Sequence, residues 1–186
     1  MSSRGALARI IAALEAAMIP SMVAGSFAST FHGEPRTTQD IDLVVDPSRD
    51  ALDRFVRSLD PARFYVSSEA ADQAWRQRGL FNVVDLASGW KIDLILRKER
   101  AFSRSEFERR MPATILGVAV HVATAEDTIL AKLEWAQLGE SERQLRDVIG
   151  VVELCGESLD RAYIERWARD LGVETLWERV RAEAER

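Results

Sequence analysis

Two aspartates, Asp40 and Asp42, stand two residues apart at the head of the run Asp40-Ile41-Asp42-Leu43-Val44-Val45. That run is rich in β-branched residues and predicts a strand, on which alternate side chains share a face, so both carboxylates project the same way. Like charges so close are costly unless one takes a proton or a cation lies between them. Hard oxygen ligands on a rigid element suit Mg²⁺, which keeps waters and substrate phosphates as its other ligands, and Mn²⁺ accepts the same donors. A solvated strand edge is the plain alternative; the residues upstream argue against it. Ser21–Ala24 reads as a short apolar strand, Gly25-Ser26 as a tight turn, and Phe27–His32 as one or two helical turns closed by Gly33. Free backbone N–H groups at such a helix start attract phosphate, with the Ser26 hydroxyl as a further donor. The Gly-Lys-Ser/Thr element of a Walker loop is missing.

A third acid comes from a predicted hairpin. Phe81–Leu86 and Trp90–Leu96 are strand-like runs joined by Ala87-Ser88-Gly89. In the second run Lys91, Asp93 and Ile95 share one face and Trp90, Ile92 and Leu94 the other. An aspartate inside so apolar a strand costs desolvation energy unless something satisfies it. Asp93 is therefore the expected third acid, and Asp85 is the competitor, because the hairpin register is not readable from the sequence.

Gly25-Ser26, Asp40-Ile41-Asp42 and Asp93, spread over Met22–Leu96, resemble the signature of the polymerase-β-like nucleotidyltransferase superfamily in its minimal bacterial branch. Glu126-Asp127 at a helix start, Lys132-Leu133-Glu134-Trp135 and Ser141–Val148 resemble a pattern shared by bacterial nucleotidyltransferase-like proteins. The resemblance implies an α+β nucleotidyltransferase fold, a mixed β-sheet flanked by helices with a C-terminal helical part. It also implies a metal-dependent transfer of NMP from an NTP to a hydroxyl. Asp40, Asp42 and Asp93 would be the catalytic and metal-binding acids, and Gly25 and Ser26 would seat the β- and γ-phosphates. The acceptor, whether RNA, protein or small molecule, is not specified. Some relatives are toxins of toxin–antitoxin pairs, which would make an antitoxin protein a partner, and others adenylylate antibiotics. A catalytically silent member that binds nucleotide or a partner protein is the alternative from another class, and hydrolysis of a phosphodiester by paired acids is a third.

The basic residues add candidates. Only three lysines, Lys91, Lys98 and Lys132, occur among the 25 Lys and Arg residues. Lys132 falls at the border of the apolar stripe Ile129, Leu130, Leu133 and Ala136, where it either reaches a phosphate or snorkels. With the resemblance it joins Arg36, between the turn and the acid pair, as an expected nucleotide ligand. Lys91 shares the face of Asp93 and can pair with it. Asp147 falls opposite the stripe Leu145, Val148, Ile149 and Val152, so Arg143, Gln144 and Asp147 read as a solvated face. Arg97, Lys98, Arg100, Arg104, Arg109 and Arg110, diluted by Glu99, Glu106 and Glu108, read the same way.

At 186 residues, 47% hydrophobic and 30% charged, the chain is long enough for one core and a helical annex. The net charge of −5 argues against a general nucleic-acid binder. With neither an apolar run of membrane-spanning length nor a signal-peptide pattern, a cytoplasmic protein is expected. Cys155 reads as a buried thiol and His32 and His121 as structural. The expected organisation is a nucleotidyltransferase core with an N-terminal helix over residues 1–123 and a four-helix part over 124–186 packed on it. The helical stripe at the start runs Leu7, Ile10, Ile11, Leu14 and Met18; Thr124 with Asp127 makes a capping box; and the last helix is expected over Glu174–Arg186.

Overall fold

The computed structural model describes residues 3–184. In chain order its elements begin with α1 (Ser3–Ala16), β1 (Ser21–Val23), α2 (Gly25–His32), β2 (Asp40–Val45) and α3 (Arg49–Ser58). There follow β3 (Phe64–Val66), α4 (Ser68–Gln77), β4 (Leu80–Asp85), β5 (Trp90–Leu96) and α5 (Ala101–Glu108). After β6 (Met111–Ile115) and β7 (Val118–Val122) the chain is helical: α6 (Ala125–Gly139), α7 (Glu142–Cys155), α8 (Arg161–Leu171) and α9 (Glu174–Ala184). It forms two compact units, Met1–Ala24 with Thr38–Val122, and Gly25–Thr37 with Ala123–Arg186.

The first unit is built on a seven-stranded mixed sheet in the order β3-β4-β5-β2-β1-β7-β6. The β2–β5 and β1–β7 pairs are parallel and the other pairs antiparallel. Alternation along the central strands decides which face is core: Ile41, Leu43, Val45, Phe81, Val83, Ile92, Leu94 and Leu96 are all buried. Burying each such side chain contributes about 1.5–3 kcal/mol, so a one-residue slip of β2 or β5 would expose all the core residues of the slipped strand. Helix α1 buries Ala6, Leu7, Ile10, Ile11 and Leu14. Helix α3 starts on Ser48, whose hydroxyl accepts the Ala51 N–H, and α4 starts on Ser67 in the same way.

The second unit is helical. Helix α2 packs on α6 and α7, and α9 packs on α7 and α8. Thr124 caps α6, its hydroxyl accepting the Asp127 N–H at 3.2 Å and donating to Asp127 Oδ2 at 2.7 Å. Tyr163 of α8 donates to the other Asp127 oxygen at 2.7 Å, which satisfies a fully buried carboxylate. Gly33 is required where α2 meets α7, since a Cβ there would come within 2.9 Å of the Val151 amide nitrogen.

The α+β reading holds, with a mixed sheet, flanking helices and a C-terminal helical part. Met18 does not extend the first helical stripe: α1 ends at Ala16, and Met18 is exposed at φ 59°. Pro20 lies two residues on and disfavours helical geometry before it. Cys155 is half-buried, its thiol donating to the His32 carbonyl at 3.4 Å, and burial pushes that thiol up from its ordinary range. The expected end of the last helix at Arg186 lies outside the described residues.

Candidate active site

The parallel register of β2 on β5 sets Asp40 beside Lys91 and Asp42 beside Asp93. The antiparallel register of β4 on β5 sets Asn82 beside Asp93. Residues directly opposite on neighbouring strands share a face, so Asp40, Asp42, Asp93, Lys91 and Asn82 share the face opposite the core. Lys91 Nζ lies 3.1 Å from Asp93 and 3.6 Å from Asp40. Asn82 Nδ2 donates to the other oxygen of Asp93. The hydrogen bond to Asp93 holds the Lys91 ammonium above its ordinary range against the cost of burial, and the charges of Asp93 and Asp40 add to the effect.

Asp85, the competitor for the third acid, lies on the other face of the sheet from Asp93. It is fully buried, opposite Trp90, and is bonded to Arg9 of α1, to the Ser88 hydroxyl at 2.9 Å and to the Ala87 N–H at 3.1 Å. Burial alone would raise its pKa, but these donors together hold it below the usual carboxylate range. It fixes the hairpin turn and docks α1.

Among the described residues no three His, Cys, Asp or Glu side chains come together as a ready metal cluster. The donor set nevertheless fits a hard divalent cation: the acids are oxygen ligands on paired central strands, and the ammonium of Lys91 already takes the cation's part toward Asp93 and Asp40.

In the helical unit, Gly25 opens α2 at φ 56°, a conformation costing other residues about 1–2 kcal/mol. Ser26 is almost buried, and its hydroxyl accepts a hydrogen bond from Arg36 Nη2, leaving its own proton free to donate. Arg36 Nε also lies 2.9 Å from Asp147. Lys132 does not snorkel: its side chain is 4% exposed, with Nζ 2.8 Å from Gln144 Oε1 and 2.7 Å from Asp147. Asp147 and Gln144 are therefore not a plain solvated face. Asp147, its side chain 8% exposed, bridges Arg36 and Lys132. Helical periodicity missed it because the second cation comes from the loop after α2, 111 residues away in sequence. Asn82 and the reach of Lys91 to both acids were missed for want of the strand register.

Two of the arginines after β5, Arg97 and Arg104, pair with acids. Arg97 lies 2.9 Å from Asp46 and 3.5 Å from Glu99, Arg104 donates to the Glu99 carbonyl, and Arg110 stacks on Phe107. His32 donates from Nε2 to the Ala123 carbonyl at 2.7 Å, and burial lowers its pKa, with that hydrogen bond and Glu126 opposing. Among the described residues no helix is long and apolar enough to cross a membrane.

No protein-family model matches the sequence, and no curated protein sequence matches it. Solved structures do match. The antibiotic-resistance factor ANT(2'')-Ia in solution is 18% identical, with a TM-score of 0.56, over 89% of this chain and 93% of that one. ANT(2'')-Ia in complex with adenylyl-2''-tobramycin is 15% identical, with a TM-score of 0.57, over 98% and 99%. An antigenic nucleotidyltransferase-like protein from Paracoccidioides brasiliensis is 15% identical, with a TM-score of 0.55, over 92% and 90%. With the sheet order and the strand register, these likenesses show that the chain has the nucleotidyltransferase fold.

Proposed function

We propose that the protein is a metal-dependent nucleotidyltransferase that moves an NMP from an NTP to a hydroxyl of RNA, protein or a small molecule. The observation that carries this reading is the β2–β5 register, which puts Asp40, Asp42 and Asp93 on one sheet face. Asp40, Asp42 and Asp93 would hold Mg²⁺ or Mn²⁺; bound there, such an ion supplies charge neutralisation at the phosphates. Gly25 and Ser26 take the β- and γ-phosphates through backbone N–H groups and the Ser26 hydroxyl, with Arg36 and Lys132 as further nucleotide ligands. The acceptor oxygen attacks the α-phosphorus, the bond from that phosphorus to the bridging oxygen breaks, and pyrophosphate leaves. Asp93, held by Asn82 and Lys91, would either share in holding the ion or take the acceptor proton.

Within this reading a toxin-like enzyme, with an antitoxin as partner and the cytoplasm as its setting, stands ahead of an antibiotic-modifying one, since a polycationic drug calls for an acidic acceptor pocket and the sequence shows no evident one. A catalytically silent, nucleotide-binding member of the fold is the second reading, favoured by the position of Lys91 between two of the acids. Incubation of the protein with each labelled NTP and Mg²⁺, alone and with fractionated cell extract, separates the readings. Label on RNA, protein or a small molecule names the acceptor, whereas NTP binding without transfer to any fraction supports the silent module.

A further inference from the structure

Arg143 and Arg146, one turn apart on α7, form with Arg36 the cationic lining of a cavity of about 400 Å³ in the helical unit. Arg36 is fixed by Asp147 and Ser26. Neither Arg143 nor Arg146 makes a hydrogen bond or ion pair with a described residue, so two guanidinium groups remain with their donors uncommitted. Two acids share the lining. Asp147 is already divided between Arg36 and Lys132, and Glu34 lies over Gly150. Three guanidinium groups with the Lys132 ammonium beside them outnumber these carboxylates, in a chain whose net charge is −5.

Guanidinium forks match the oxygens of carboxylate and phosphate. A single carboxylate satisfies one fork; two uncommitted forks beside the committed Arg36 in one cavity call for an anion with more than one oxygen-bearing group. The volume lies within the range of ligand pockets and is ample for an oligophosphate. Arg36 also bonds the Ser26 hydroxyl at the start of α2, so the donors run without a break from that turn into the cavity. Resting on the nucleotidyltransferase reading, we infer that this cavity binds the pyrophosphoryl tail of the nucleotide, with Arg143 and Arg146 as phosphate ligands beyond Gly25, Ser26, Arg36 and Lys132.

The test is calorimetric titration of the metal-free protein with inorganic tripolyphosphate, compared with an Arg143→Gln/Arg146→Gln double variant and with Arg57→Gln, an exposed control for net charge. Both α7 arginines are exposed and unpaired, so the double variant should melt with the wild type. The expected result is at least a tenfold weaker Kd for tripolyphosphate in the double variant, no more than a twofold change in the control, and loss of tripolyphosphate binding once NTP is bound. Absence of wild-type binding, or a Kd unchanged in the double variant, overturns the inference. NTP and tripolyphosphate binding together would also overturn it, by assigning the cavity to a phosphate from another molecule. The two readings fail separately: transfer activity with an unchanged double-variant Kd leaves the enzyme reading standing, and arginine-dependent tripolyphosphate binding without transfer to any acceptor leaves the cavity assignment standing.

Discussion

Removing the ammonium of Lys91 should make the acid face bind metal more tightly. Lys91 Nζ sits 3.1 Å from Asp93 and 3.6 Å from Asp40, so a divalent cation must displace it to reach those carboxylates. Asp93 is 15% exposed, but Lys91 and Asp40 are 43% and 47% exposed, which places both pairs in the screened range of about 0.2–1 kcal/mol each. Losing both in Lys91→Met, which keeps the apolar stem, should therefore favour metal by about 0.5–2 kcal/mol, or roughly 2- to 30-fold at about 1.4 kcal/mol per tenfold. Mn²⁺ titration followed by electron paramagnetic resonance, at neutral pH and without nucleotide, reads this directly. An affinity unchanged or weaker in Lys91→Met would mean that Lys91 does not compete with metal for Asp40 and Asp93. Unchanged Mn²⁺ binding with weakened NTP binding would make Lys91 a phosphate ligand.

Other positions carry separate predictions. Gly25→Val should weaken NTP and tripolyphosphate binding together, because a β-branched side chain is strained at φ 56° and blocks close approach to the backbone; equal binding in calorimetry would remove the turn from the phosphate site. Asp85→Asn should destabilise the fold by about 2–4 kcal/mol in urea denaturation at pH 7, since it leaves the Arg9 donors without their carboxylate; a loss below about 0.5 kcal/mol would contradict its role in docking α1. His32 has a lowered pKa in the fold, so folding favours its neutral form. Its contribution is present above the unfolded value near 6.5 and is lost as pH falls through the lower folded value. The melting temperature should therefore drop between pH 7 and 5, less steeply in His32→Asn, and equal slopes would refute the assignment.

What the sequence discloses and what it conceals follow from the range of the forces involved. Asp40 and Asp42 are legible because strand alternation is local, and so are the Thr124 cap and the Gly89 turn of the hairpin, at φ 72°. The choice of Asp93 over Asp85 depends on the β4–β5 register and on which face packs on α1. Those are tertiary facts, and periodicity alone gives both acids an apolar strand. Asp147 is the sharper case. A helical wheel turns it away from the apolar stripe, yet Arg36 and Lys132 cover it, because a charged residue is buried when cations from distant segments meet it. The grouping of Gly25–Thr37 with the C-terminal helices is likewise invisible in chain order, since it rests on the packing of α2 against α6 and α7.

Nucleotidyl transfer is the reaction proposed for the acid face of β2 and β5. Its most direct test supplies the wild-type protein and Asp42→Asn with Mg²⁺, an acceptor fraction, and NTP labelled at either the α- or the γ-phosphate. Wild type should transfer the α-label and release the γ-label in pyrophosphate, and Asp42→Asn should fold as stably as wild type, since one of two neighbouring like charges is gone, yet transfer nothing. Transfer of the γ-label, or α-label transfer by Asp42→Asn at the wild-type rate, would contradict it.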